Sequence, residues 1–249
     1  MPVSRPTEPV RLSKIVAEMA GCSRREAELF IEGGWVKVNG KVVDVPGAKV
    51  LDEKVTLDQD AVAEPVSDVT ILLYKPAGFE TWADGQKPAI QLVAPRNHSA
   101  ADHSGIRQAR AHFQQECLTD LEPAATGLVV YSQDFRIRRK LTEDAGVIEH
   151  EIMVDVKGEV TEAQLHRLNR APVIDGRAMM PAKVSINSQS DGMTGLRFAT
   201  KGHWPGRIAQ MVDGEGLRIA GMRRIRIGRI GLAGLQPGEW RYLTPHERV

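Results

Sequence analysis

Apolar positions along the first sixty residues repeat first at helical and then at strand spacing. Leu12, Ile15, Val16 and Met19 fall at i, i+3, i+4 and i+7, which predicts one buried face of a helix ending at Gly21. Ser23 stands three residues before Glu26, the spacing of a capping box, and opens a second helix with Ala27, Phe30 and Ile31 inside. Gly33-Gly34 stops it in the manner of a left-handed C-terminal cap. Two short alternating runs then flank Asn39-Gly40, a strong hairpin signal. The stretch 58–67 is acidic and short of large apolar groups, and reads as a linker. Val69–Tyr74 predicts a buried strand, ended by Lys75-Pro76-Ala77-Gly78.

Between Thr81 and Glu116 the periodicity fails. A loop with Leu121-Glu122-Pro123 then turns through Thr126-Gly127 into the apolar run Leu128–Tyr131. Arg136, Arg138, Arg139 and Lys140 follow on a helical segment, and Glu151–Val156 alternates as a strand. Thr161 and Gln164 cap a short helix carrying Leu165 and Leu168, and Asp175-Gly176 marks a turn. In Met222–Ile230, strict alternation puts Arg224 and Arg226 on one strand face, with Ile225 and Ile227 on the other.

A chain of 249 residues has room for one large or two smaller domains. Its net charge of +1 predicts no strong global field, so any nucleic-acid binding must come from local clusters of Lys and Arg. Cys22 and Cys117 are too few for a disulfide framework and lack metal-site spacing. His98, His103 and His112 have no acid or cysteine to complete a ligand set, so no metal site is expected. With no signal-peptide core and no run of eighteen apolar residues, the reading is a soluble, cytoplasmic protein away from membranes.

Three features are candidates for chemistry. Arg24 and Arg25 sit in the first turn of the second helix, where free N–H groups favour anions. A phosphate would satisfy both arginines and the helix end; alternatively they point into water, or pair with Glu28 or Glu32. Glu122 is a carboxylate on a loop at the mouth of a buried strand, a place for a reacting group or for an ordinary turn-forming acid. Arg224 and Arg226 suit a phosphate backbone, or a solvated outer face.

From Arg11 to about Leu57 the order helix, Ser-Arg-Arg, helix, hairpin resembles the small RNA-binding domain first recognised in ribosomal protein S4. By that resemblance Arg11, Lys14, Arg24, Arg25, Lys37 and Lys41 are phosphate contacts.

Four landmarks then resemble the RNA pseudouridine synthases of the RsuA/RluB/RluE/RluF type. They are Tyr74–Gly78, Leu121–Val130, the strand from Glu149 to Val156 with its following helix, and Arg224–Gly228 through Thr244. The resemblance covers nearly the whole chain, with 86–115 aligning poorly. It implies an α+β protein. A disordered start (1–9) would precede a small S4-like domain of two helices and short strands (10–57) and a linker (58–67). A catalytic domain (68–249) would follow, with a mixed, mainly antiparallel central sheet flanked by helices. It also implies uridine-to-pseudouridine isomerisation in ribosomal RNA with no cofactor or metal; nothing in the sequence demands more than a monomer. The target base is flipped into a pocket, where an aspartate attacks or deprotonates the sugar, a tyrosine packs on the base and a basic residue steadies the aspartate.

The sequence departs from the family at these three points. Arg-Leu-Asp is Asp120-Leu121-Glu122, Lys-x-Tyr is His150-Glu151-Ile152, and Gln-Ile-Arg-Arg-Met is Arg207-Ile208-Ala209-Gln210-Met211. Carried over residue by residue, Glu122 is the catalytic carboxylate, with Asp120, Leu121, Ile152 and Gln210 around the substrate. Both arginines of the last motif are lost, and Arg207, displaced from their positions, is the only nearby replacement as the carboxylate's charge partner. Two readings follow: an enzyme working through Glu122, or a family member that binds RNA without isomerising it, for example in ribosome assembly.

Overall fold

The computed structural model describes residues 8–174, 176–202, 205–232 and 234–248. The expected disorder before residue 8 and the turn residue Asp175 lie outside them. Two compact units make up the chain: residues 8–68 with Gly105–Gln114, and Val69–Ser104 with the chain from Gln115 onward.

In the first unit the elements are β1 (Val10–Arg11), α1 (Leu12–Ala20), α2 (Arg24–Glu32), β2 (Val36–Val38), β3 (Lys41–Val42), β4 (Lys49–Val50) and β5 (Val55–Leu57). Leu12, Val16, Ala27, Ile31, Val36 and Val50 form its core. The Ser23 hydroxyl accepts the Glu26 N–H at 3.2 Å and the Glu26 carboxylate accepts the Ser23 N–H at 2.8 Å, so the capping box closes. Asn39 and Gly40 both take positive φ, 49° and 80°, as a tight two-residue hairpin turn requires.

The segment 105–114, placed by the sequence pattern in the second domain, packs instead in this unit. Arg107 lies 3.9 Å from the Trp35 ring centroid, and its guanidinium reaches Asp58 at 2.9 Å. A cation over an indole, tied to a neighbouring acid, is reason enough for a periodicity-free stretch to dock there.

The second unit contains β6 (Thr70–Lys75), β7 (Thr126–Ser132), α3 (Phe135–Thr142), β8 (Glu149–Lys157), α4 (Glu162–Leu168), β9 (Val173–Ile174), β10 (Arg177–Ala178), β11 (Lys183–Ser190), β12 (Met193–Lys201), α5 (Arg207–Gly214), β13 (Arg218–Ile227), β14 (Ile230–Gly231) and β15 (Trp240–Tyr242). Its sheet runs β11-β12-β8-β13-β7-β6-β15, with β14 beside β13. Every neighbouring pair is antiparallel except β13 with β7. This is the mixed, mainly antiparallel sheet of an α+β fold. Helices α4 and α5 cover Ile152, Val154 and Val156, while α3 packs on Leu128 and Val130.

The parallel pair sets the geometry of the site. Register places Lys75 opposite Gly127, and Gly127 opposite Arg224, in one row across three strands. Gly127 has φ of 118°, and a Cβ there would collide with the backbone of Arg224. Only glycine fits so close an approach. Thr126 and Gly127 are therefore the first residues of β7 rather than the loop before it.

Candidate active site

Glu122 is half-buried in a narrow pocket that it shares with Leu121, Ile152, Thr200, Gly202, Arg207, Ile208, Met222 and Arg224. Its carboxylate accepts the backbone N–H of Gly206 at 2.5 Å. Gly206 is the residue that caps α5, so the carboxylate sits on the positive end of an eight-residue helix. The next residue, Arg207, is 3% exposed, and its guanidinium donates to the Met180 carbonyl while its Nε has no partner.

The loop carrying Glu122 is held from both sides by buried cations. Arg224 is fully buried, and its planar fork donates to the carbonyls of Leu128 at 2.7 Å, Asp120 at 2.8 Å and Thr119 at 2.7 Å. Lys75, also fully buried, donates to the carbonyls of Ala125 at 2.7 Å, Phe79 at 2.9 Å, Pro76 at 3.2 Å and Pro123 at 3.4 Å. Burial is the main reason the Lys75 ammonium titrates at about 8; the Arg224 charge adds to the fall and the Glu122 carboxylate opposes it. Burial likewise draws Arg224 down to about 10, against the charges of Cys117, Glu122 and Asp120. Two cations pinned to carbonyls on either side of one acid fix where that acid points.

Several predicted site residues belong elsewhere. Arg224 has no exposed surface for a phosphate, because its donors are directed at the loop's carbonyls. Arg226 pairs with both Glu149 and Glu151. The two arginines do not share a face either. A bulge at Ile225 sets Arg224 opposite Ile152 and Arg226 opposite Glu151, and those two neighbours on β8 face opposite ways. Asp120 is exposed, with its carboxylate accepting the Thr81 hydroxyl at 3.2 Å outside the pocket lining. Gln210 is exposed as well, since α5 turns Arg207, Ile208 and Val212 inward and leaves position 210 on its outer side. Leu121, Glu122, Ile152 and Arg207 do come together. None of Tyr74, Tyr131 and Tyr242 lines this pocket.

Sequence reasoning missed Lys75 and Gly206. A lysine ending an apolar strand before Pro-Ala-Gly was the available signal for the first. For Gly206 there was none, because its partner lies 84 positions away.

In the first unit Arg11, Lys14, Arg24, Arg25, Lys37 and Lys41 are all exposed. Arg11, Lys14 and Arg24 line one groove. Arg24 and Arg25 both lean on Glu28, at 3.2 and 3.7 Å, so one carboxylate serves two guanidiniums and a positive charge is left over. The hairpin register puts Lys37 and Lys41 on opposite faces.

Residues 10–55 match the S4 domain family. An RNA pseudouridine synthase of Aquifex aeolicus is 27% identical over 246 residues, covering 96% of this chain and 94% of that protein. Ribosomal large subunit pseudouridine synthase B of Bacillus subtilis is 28% identical, covering 95% and 93%. The dual-specificity RNA pseudouridine synthase RluF of Escherichia coli is 28% identical, covering 98% and 79%. A crystal structure of a pseudouridylate synthase superposes with a TM-score of 0.59 at 20% identity, covering 94% of this chain and 96% of that one, and so shares its fold.

Proposed function

This chain belongs to the family of RNA pseudouridine synthases that carry an N-terminal S4 domain, and on that premise we propose that it isomerises uridine to pseudouridine in ribosomal RNA. Glu122 is the catalytic carboxylate and Arg207 its charge partner. The observation that carries this reading is the placement of Glu122, whose loop is clamped by Lys75 and Arg224 and whose carboxylate is oriented by the Gly206 N–H.

The reaction breaks the bond from ribose C1′ to ring N1, forms the bond from C1′ to C5, releases the C5 proton and protonates N1. Atoms and electrons balance without a cofactor. A target base flipped from its RNA fold would meet Leu121, Ile152 and Met222 as apolar walls. Glu122 then acts on the sugar as nucleophile or base. Arg207, buried with a donor to spare, faces the charge that develops. A glutamate in place of the family's aspartate adds one methylene, about 1.5 Å of reach. The bond to the end of α5 takes up that reach and returns a longer side chain to a single position.

The exposed cations of the first unit bring the RNA, in single-stranded loops or bulges whose bases can be splayed out. That substrate puts a monomeric enzyme beside the ribosome in the cytoplasm. Binding without chemistry is favoured by one observation, the lack of any tyrosine along the pocket. Incubating the protein with ribosomal RNA and mapping pseudouridine by carbodiimide-dependent primer-extension stops separates the two readings. A new stop at a defined uridine is expected; intact RNA binding with no stop above background would leave only the binding protein.

A further inference from the structure

On β8, Ile152 and Val154 turn toward the Glu122 pocket and the core beneath it, while Met153 and Asp155 turn to the other side of the sheet. There they line a second, open cavity with Tyr74, Asn187, Ser188 and Arg223. Register places Gly195 on one side of Asp155 and Gly221, which lines the cavity, on the other. A Cβ on Gly221 would meet nothing but Oδ2 of Asp155, at 3.5 Å, while the space beside Gly195 is taken by the Ser188 hydroxyl. The exposed carboxylate in this trough therefore has its Oδ2 side open and the Ser188 hydroxyl near its Oδ1 side.

Its neighbours on the same sheet face are engaged with each other: Glu151 with Arg197, and Glu149 and Glu151 with Arg226. Asp155 and Arg223 differ. Both are exposed, and neither enters an ion pair or side-chain hydrogen bond among the described residues. The trough thus presents a free carboxylate, a free guanidinium and the polar side chains of Asn187, Ser188 and Thr126 around the thioether of Met153.

We propose that this trough binds a guanine nucleotide of the single-stranded RNA that carries the uridine being modified. This rests on the RNA-modifying reading above. A carboxylate offers two acceptors side by side, and only guanine answers with two adjacent donors, N1–H and the N2 amino group. Uracil, cytosine and adenine each set a single donor beside acceptors. Met153 gives the ring an apolar bed, and Arg223 meets the phosphate. Ala124 and Thr126 also line the trough, so a base bound here touches the loop that carries Glu122 on the other side of the sheet.

The methyl resonance of Met153 in the full chain gives a direct readout, and that of Met222, on the Glu122 side of the sheet, serves as a reference. They are assigned from Met153→Leu and Met222→Leu and followed during titration with the 5′-monophosphates of guanosine, adenosine, cytidine and uridine. Guanosine monophosphate is expected to shift the Met153 methyl and to bind at least about tenfold tighter than the other three, the discrimination of a good bidentate contact. Asp155→Asn should abolish that preference. Gly221→Ala, which adds a methyl beside Oδ2 and removes no polar group, should weaken binding; Arg223→Ala should weaken the monophosphate and spare guanosine.

The pentamer UUGUU should bind more tightly than both UUUUU and guanosine monophosphate. Equal shifts from all four nucleotides, or a guanine preference that survives Asp155→Asn, would overturn the proposal. Guanosine monophosphate as tight as UUGUU would overturn its assignment to RNA. The readout needs no turnover, so binding here with no pseudouridine formed would sink the enzymatic reading and leave this site standing.

Discussion

Replacing Arg224 by methionine tests whether the buried guanidinium holds the Glu122 loop. Methionine keeps the apolar stem but not the guanidinium end, so a small void adds to the cost. What is lost is three short hydrogen bonds, to the carbonyls of Leu128, Asp120 and Thr119. A buried carbonyl left without its donor costs about 1–3 kcal/mol, roughly 3–9 kcal/mol for three. Against this, the variant no longer buries a guanidinium far from water, which relieves several kcal/mol. The expected net loss is about 3 kcal/mol, or roughly 6–12 °C in the melting temperature of a unit of this size.

Arg224→Lys keeps the charge but not the fork, and should recover only part of the loss. Thermal unfolding followed by near-ultraviolet dichroism reads the change, with RNA binding by the first unit as a control that should not move. A methionine variant within about 1 °C of the parent would refute the clamp, since three orphaned carbonyls cannot be that cheap.

Three further outcomes follow from the same geometry. Activity should fall as pH rises through about 8, where Lys75 loses the proton that lets it bridge its carbonyls. Stability responds with the opposite sign, because below pH 8 a charged lysine is buried at a cost, and that cost disappears as pH rises from 8 toward the unfolded value near 10.4; a Lys75→Met variant should lose the alkaline limb of the rate profile. Changing Arg24 and Arg25 to alanine should weaken RNA binding and flatten the slope of log K against log salt by roughly 1.4, about 0.7 for each single-strand phosphate contact; an unchanged slope would mean that their charge stays with Glu28. Gly127→Ala should cost about 3 kcal/mol or more in urea titrations, since the methyl meets the Arg224 backbone and φ is already positive.

Much of the fold was legible because its signals are local. The capping box at Ser23 and Glu26, the Asn39-Gly40 turn and the apolar runs of β6 and β7 each depend on neighbours within a few positions. The Arg224–Arg226 face was misread because alternation holds only while pairing is regular. One extra residue at Ile225 reverses the parity, and nothing in the spacing announces it. Segment 105–114 was assigned to the wrong unit because its anchors, Trp35 and Asp58, lie far back in the chain.

The candidate site divides along the same line. Glu122 and Ile152 could be located from motifs, as could Arg207. Their setting could not, because Lys75, Arg224 and Gly206 reach the loop across 48, 104 and 84 positions. The gain was larger than a list of neighbours. An arginine expected on the RNA-facing surface turns out to hold the carbonyls of the loop that carries Glu122.

The central claim is that Glu122 does chemistry on uridine, and release of tritium from RNA labelled at uridine C5 tests it most directly, since that hydrogen leaves only when the new carbon–carbon bond has formed. Under single-turnover conditions the parent protein is expected to release tritium, and Glu122→Gln to release it about 10³-fold more slowly with RNA affinity unchanged. Equal rates from the two proteins, or no release from a parent that binds the RNA fully, would contradict it.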